Sequence, residues 1–455
     1  MKIDVLVAEI GSTTTVVNAF DKVNSPCPIF AGQGQAPTSV GEGDVNIGLH
    51  NAIDNLSFNL KTDSIEYGEL IATSSAAGGL RMTVHGLVYD MTVRAAKEAA
   101  LGAGANIKQV TSGKLRKSDL NKLMQINPNI ILVAGGVDYG ERETALYNAE
   151  LIANLNLDIP VIYAGNVENQ DDVKDLFKNS RSELYIVENV YPKIDELNVE
   201  PTRKVIQDVF EKHIVHAPGM QRVREMVTGS IIPTPGAVMV ASKLLYDDIG
   251  DLMTLDVGGA TTDVHSVTEG NEEVSRILIS PEPLAKRTVE GDLGVYVNMH
   301  NVVDMVGKEK LEEELNLSPE ELQNLIDNHK PIPKTDLEKA FVEKLTLHAA
   351  VTAVKRHAGI FRYLYGSGGR TTVAEGKDLT RVKYIIGTGG ALTRLPHRVD
   401  IMREIPLSNK GHELLPNKDV EILVDNDYIM ASLGILSKEY PQAALRLLKN
   451  SLNIK

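Results

Sequence analysis

Val5-Leu6-Val7-Ala8-Glu9-Ile10-Gly11-Ser12-Thr13-Thr14-Thr15-Val16-Val17-Asn18-Ala19-Phe20 reads as two apolar strands around a polar, glycine-containing tip. The same plan returns much later in Leu252-Met253-Thr254-Leu255-Asp256-Val257-Gly258-Gly259-Ala260-Thr261-Thr262-Asp263-Val264-His265-Ser266-Val267. The two stretches align without a gap: Glu9 falls on Asp256, Gly11 on Gly258, Thr14 on Thr261, Thr15 on Thr262 and Val17 on Val264. A single glycine and threonine turn after a strand is an ordinary hairpin tip. Two in one register, each preceded by an acid, form a long-period internal repeat and predict two lobes of common plan.

Such tips suit a nucleoside triphosphate. Glycine admits the phosphates close to the main chain, amide and hydroxyl groups donate to their oxygens, and a carboxylate at the strand end holds a magnesium-bound water. The expected nucleotide contacts are Gly11, Ser12, Thr13, Thr14 and Thr15 from the first tip, and Gly258, Gly259, Ala260, Thr261 and Thr262 from the second. Glu9 and Asp256 are the expected catalytic acids, organising Mg2+ and water. A third signal, the strand Tyr384-Ile385-Ile386, runs into Gly387-Thr388-Gly389-Gly390-Ala391, which would let adenosine pass close to the main chain. No Gly-x-x-x-x-Gly-Lys-Ser/Thr sequence is present, and Gly102-Ala103-Gly104 follows a helix, so P-loop and dinucleotide fingerprints are disfavoured.

Between the two hairpins, Ile107–Val110, Ile130–Ala134, Ile159–Ala164 and Leu184–Val190 are short apolar runs separated by helix-like stretches around Glu143–Leu155 and Asp171–Lys178. That alternation predicts a parallel α/β domain inserted in the first lobe. The expected order is first lobe 1–85, insertion 86–195, remainder of the first lobe and connecting helix 196–250, and second lobe 251–455 with a helical insertion near 298–358. Within that insertion Ser318-Pro319-Glu320-Glu321 is a helix start, with serine as cap and proline in the first turn. Asp425-Asn426-Asp427 opens the last expected helix, running through Leu436.

The 455 residues suffice for two or more cores, since single cores stop growing near about 250–300 residues. A formal net charge of -14 opposes binding to nucleic acid or anionic membrane. Cys27 is the single cysteine, so an intrachain disulfide and a cysteine metal site are excluded, which fits a reducing cytoplasm. Met1-Lys2-Ile3-Asp4 lacks the features of a signal peptide, and no run of about 20 apolar residues is present, so a soluble cytoplasmic protein is expected.

Two phosphate hairpins, a helix before the second, an adenosine loop and a final helix together resemble the actin, Hsp70 and sugar-kinase superfamily. The resemblance implies two actin-like, ribonuclease H-like ATPase lobes. More closely, Ala72-Thr73-Ser74-Ser75-Ala76-Ala77-Gly78-Gly79-Leu80-Arg81-Met82, Leu132-Val133-Ala134-Gly135-Gly136-Val137-Asp138, Tyr163-Ala164-Gly165-Asn166, Pro233-Thr234-Pro235-Gly236-Ala237 and Val289-Glu290-Gly291-Asp292-Leu293-Gly294 look like the MutL/GlmL family. That family is encoded with adenosylcobalamin-dependent glutamate mutase and related aminomutases, and is unrelated to the mismatch-repair protein called MutL. The resemblance implies a chaperone-like, slow Mg-dependent ATPase that helps a mutase lose damaged cobalamin, with ATP and Mg2+ as cofactors and mutase subunits as partners. Glu9 departs from the aspartate usual in the superfamily, and its longer side chain would shift the metal-bound water and slow hydrolysis.

Two other readings stay open: a small-molecule kinase of the same fold, and a nucleotide-binding assembly scaffold without turnover. The kinase needs a base aimed at a substrate hydroxyl, and Pro233–Val240 contains no acid. The insertion is either a docking surface for the mutase or a local packing unit. The chain carries no Asp-x-His-x-x-Gly, so tight cobalamin binding is not expected. A homo-oligomer and a second small subunit are both compatible with the chain. Glu290 and Asp292 are read either as metal or water ligands or as surface acids. Lys355, Arg356 and His357 are read as adenine neighbours or as favourable charges at a helix end.

Overall fold

In β1 (Lys2–Ile10) nearly every side chain from Val5 onward is buried, which is why this strand reads as a continuous apolar run rather than an alternating one. The computed structural model describes residues 1–11, 14–39, 42–76, 79–214, 219–366 and 369–454. β1 is followed by β2 (Thr14–Asp21), antiparallel to it, by β3 (Ile29–Pro37), antiparallel to β2, and by β4 (Glu66–Ser74), parallel to β1 on its other side.

The chain then leaves this sheet and builds another from β5 (Arg81–Gly86), β6 (Asn106–Ser112), β7 (Ile130–Val133), β8 (Val161–Tyr163) and β9 (Leu184–Ile186). Its order is β6-β5-β7-β8-β9 and all its pairings are parallel. This is the expected parallel α/β insertion, with helices Glu143–Asn154 and Gln170–Phe177 between its strands. β5 starts before residue 86, ahead of the expected edge of the insertion. β10 (Ile231–Pro233) returns to the first sheet beside β4, giving the order β10-β4-β1-β2-β3.

The second sheet contains β11 (Leu252–Val257), β12 (Thr262–Val267) and β13 (Ala285–Glu290). After the long helix Asp336–His357 come the two-stranded ribbon β14 (Ile360–Gly366) and β15 (Gly369–Glu375), then β16 (Tyr384–Thr388) and β17 (Glu421–Val424). Its order, β13-β12-β11-β16-β17, repeats the first sheet strand for strand, with the second strand antiparallel to the first and third and the fourth parallel to the first. That shared order is the ribonuclease H-like plan of actin-like ATPases.

Two compact units result. One comprises Met1–Ala241 and Ala431–Leu447; the other comprises Ser242–Met430 and 448–454. The first has one core around Ile3, Leu6, Leu49 and Leu70 and another inside the insertion around Ile131, Ile152, Tyr163 and Phe177. The core of the second gathers Met253, Leu255, Phe341, Leu345, Ile385 and Met402. Ser318 caps its helix as expected: its hydroxyl accepts from Glu321 N at 3.3 Å, and the Glu321 carboxylate accepts from Ser318 N at 2.8 Å. Thr335 does the same for the long helix. Among the described residues no helix is long and apolar enough to cross a membrane.

Candidate functional site

Both hairpin tips close in the same way. Gly11 N donates to Thr14 O at 3.0 Å, and Gly258 N donates to Thr261 O at 2.9 Å. The gapless alignment of the sequence is therefore an alignment of turns.

In the second tip the carbonyls are held from behind. Val295 N donates to Gly258 O at 3.1 Å, Tyr296 N and Val297 N donate to Gly259 O at 2.9 and 2.7 Å, and Asn298 Nδ2 donates to Ala260 O at 2.7 Å. Among the described residues, the main-chain NH groups of Gly259, Ala260 and Thr261 take no hydrogen-bond partner. Gly259 and Ala260 are exposed. Three successive free amides beside tied carbonyls leave backbone donors available to an anion. The close packing behind the tip requires Gly294, where a Cβ would lie 2.5 Å from both Ala260 O and Gly259 O.

The hydroxyls of this tip turn inward. Thr261 Oγ1 donates to Asp263 Oδ2 at 3.1 Å and Thr262 Oγ1 donates to Leu293 O at 2.6 Å. The tip thus offers an anion its amides rather than these hydroxyl hydrogens.

Asp256 is next to last in β11, opposite Asp263 on β12 and Thr388 on β16. Among the described residues its carboxylate accepts no hydrogen bond. Desolvation pushes the Asp256 carboxyl up to about 7, with Asp263 and Asp425 adding to the rise and Arg287 opposing it. Asp263 is itself neutralised by buried Arg287, whose Nε and Nη2 approach Asp263 Oδ1 at 2.8 and 2.6 Å.

The Gly387–Gly390 turn leaves β16 beside this acid. Gly389 has φ +80°, and a Cβ there would overlap Asp256 Oδ1 and lie 2.8 and 2.9 Å from Val257 O and N. Only glycine suits both the left-handed backbone and the space. A Cβ on Gly387 would press on Met402 Sδ at 2.7 Å, whereas Gly390 is exposed and has open space. Thr388 Oγ1 donates to buried Asp425 Oδ2 at 3.0 Å. Asp425 also accepts from Ser451 Oγ at 2.7 Å and from Ile429 N and Met430 N at 3.2 and 2.9 Å. The helix-start signal at Asp425 was legible in sequence; its bond to the glycine turn was not.

The first tip differs at its acid. Glu9 is nearly buried, and its Oε1 accepts from Ser432 Oγ at 2.6 Å and, more weakly, from Asn18 Nδ2 at 3.4 Å. Asn18 Nδ2 also donates to Ser432 Oγ at 2.8 Å, and Gln33 Nε2 holds Asn18 Oδ1 at 2.8 Å. Thr14 is exposed, while buried Thr15 shares a 2.8 Å hydrogen bond with Thr38. Ser12 and Thr13 lie outside the described residues, as do Ala77 and Gly78 of the Ala72–Met82 string.

Other conspicuous residues are engaged locally. Arg356 forks onto Asp292 at 2.8 and 2.9 Å and reaches Glu290 at 2.7 Å, and this hydrogen bonding holds the Asp292 carboxyl below its usual range. Lys355 bonds Ser408 O at 2.8 Å. His357 is buried between Ser266 Oγ at 2.8 Å and Thr288 Oγ1 at 2.9 Å. Among the described residues no group of three His, Cys, Asp or Glu side chains is arranged to hold a metal ion. A lone, unbonded carboxylate such as Asp256 fits a hydrated magnesium whose remaining ligands come from water and phosphate.

Paired ribonuclease H-like sheets, each turning at a glycine tip after its first strand, define the actin-like ATPase fold class. Within that class, the chain belongs to the MutL protein family, whose model matches residues 5–452. It is 35% identical over 459 residues to Protein MutL of Clostridium tetanomorphum, a match covering 98% of each chain. Similar solved structures include nucleotide-free acetone carboxylase, at 13% identity and TM-score 0.41 over 95% of this chain and 70% of that one. They also include nucleotide-free diol dehydratase-reactivating factor, at 11% identity and TM-score 0.40 over 97% of this chain and all (100%) of that one.

Proposed function

We propose that this chain binds Mg-ATP and acts as a slow ATPase that reactivates an adenosylcobalamin-dependent mutase or aminomutase, promoting release of damaged cobalamin. The observation that carries the nucleotide reading is the second tip, where the amides of Gly259, Ala260 and Thr261 are free while the neighbouring carbonyls are tied back. An anion reaching this tip meets donors that need not give up other partners, so little reorganisation opposes binding. The open turn at Gly390 supports a place for adenosine. The partner class rests on the family resemblance.

In this reading the three amides hold phosphate oxygens and Asp256 orients water. Asp263 and Arg287 neutralise each other beside it, so the site gains no net charge from that pair. Magnesium, when bound, would neutralise phosphate charge and order the water around it. Glu9 is held by Ser432 and plays the lesser part. Nucleotide-driven change helps the partner only if ATP and ADP states bind it with different affinity.

Hydrolysis of Mg-ATP should be measured alone and with glutamate mutase loaded with a corrinoid lacking its adenosyl group. Slow turnover, accompanied by ATP-dependent return of mutase activity, is the expected result. ATP binding without turnover would leave a scaffold, and phosphate transfer to a metabolite would make the chain a kinase.

A further inference from the structure

Asn298 immediately precedes the helix Met299–Val306, at the position where an asparagine ordinarily caps its own helix. Its side chain makes no capping bond. Instead Nδ2 donates to two carbonyls from elsewhere in the chain, Ala260 O at 2.7 Å and Gly291 O at 2.8 Å. Both partners are oxygens, so the amide nitrogen is what the arrangement needs.

We infer that Asn298 is a positioning residue for the phosphate tip, holding the Ala260 carbonyl back so that the peptide beyond it presents its amide to the nucleotide. The inference rests on the nucleotide reading above and adds a residue to it. Ala260 O is the carbonyl of the Ala260–Thr261 peptide; in a rigid peptide plane its direction fixes that of Thr261 NH, which is one of the three free amides. The second carbonyl held by Asn298 belongs to Gly291, between Glu290 and Asp292, and Arg356 clasps both acids. The fork therefore places Gly291 O, Asn298 spans from there to the tip, and Gly294 allows the intervening segment to lie against Gly259 and Ala260. The string Val289–Gly294 acquires a physical task in this way, namely support of the tip from behind rather than contact with the metal.

The test is Asn298→Asp. The Asn298 side chain caps nothing, so the substitution takes no bond from its helix, but the carboxylate turns two hydrogen bonds into oxygen–oxygen repulsions. Affinities for ATP, pyrophosphate and adenosine are read by calorimetry on the full chain, together with the melting temperature. The expected outcome is at least about a tenfold weakening for ATP and pyrophosphate, corresponding to about 1.4 kcal/mol, with adenosine affinity unchanged and only a modest fall in melting temperature from the two lost hydrogen bonds. Gly294→Ala, which pushes on the tip from the same side, should likewise weaken ATP and pyrophosphate and spare adenosine, at a lowered melting temperature because its Cβ presses on backbone. Equal ATP affinity in wild type and Asn298→Asp would overturn the positioning role and leave the nucleotide reading standing. Equal loss for adenosine and ATP would also overturn it, since the effect would then be a general one on the fold. A wild-type chain that takes neither ATP nor pyrophosphate would sink the nucleotide reading, and this role with it.

Discussion

Gly389 lies so close to the Asp256 carboxylate that a β-carbon on it would clash with Oδ1. The glycine turn after β16 and the acid near the end of β11 therefore cannot be varied independently. Gly389→Ala should cost about 1–2 kcal/mol of left-handed strain and about 1–3 kcal/mol of overpacking, read as a lower urea midpoint. Gly390→Ala, in open space, should change stability by less than about 0.5 kcal/mol.

Asp256→Asn should separate stability from chemistry. Desolvation makes this acid harder to ionise in the folded chain than in the unfolded one, so at pH 8 its charge opposes folding. Removing the charge should leave the melting temperature equal to or above that of wild type, while Mg-ATP turnover falls at least about 100-fold. Undiminished turnover would remove Asp256 from the reaction.

Glu9→Gln should have a milder effect, because Glu9 is already engaged by Ser432. The expected loss of turnover is less than about tenfold, well short of the loss at Asp256. Ser432→Ala should lower stability by about 1–3 kcal/mol by taking a 2.6 Å hydrogen bond from a nearly buried carboxylate, measurable by chemical denaturation.

Acid should weaken the fold through buried imidazoles. Burial pushes His85 down to about 4, while both its ring nitrogens meet threonine hydroxyls, Thr111 at 2.8 Å and Thr83 at 3.1 Å. The unfolded chain takes up this proton near pH 6.5 and the folded chain does not. Stability is therefore full above about pH 6.5 and falls toward pH 4, by up to about 1.4 kcal/mol per pH unit. Burial lowers His265 and His357 as well, in the same direction. Urea midpoints across this range should show the slope, and His85→Gln should flatten part of it.

Local signals in the sequence were enough for the two hairpins, the glycine turn after β16 and the cap at Ser318, because each depends on residues within a few positions. β5 was not legible: its Arg81, Thr83 and His85 make it look polar, and only the folded neighbours of Thr83 and His85 reveal that these side chains are satisfied inside. The β14–β15 ribbon escaped for the opposite reason, since Tyr363, Leu364 and Tyr365 are exposed and follow no core periodicity. The supporting residues of the site depend on distant pairs. Asn298 reaches 38 residues back to Ala260, Thr388 reaches 37 residues forward to Asp425, and Glu9 meets Ser432 across 423 residues. Chain topology, rather than spacing, creates those contacts.

The return of Ala431–Leu447 to the unit begun at Met1 also sets an order of events during synthesis. The last strand of the first sheet, Ile231–Pro233, leaves the ribosome roughly 200 residues before Ser432 does. At about 5–20 residues per second that interval is on the order of 10–40 s. Through it every strand of the first sheet has been made while the Ser432 hydroxyl that bonds Glu9 has not, so the native contact at Glu9 cannot close before the carboxyl-terminal helices are synthesised.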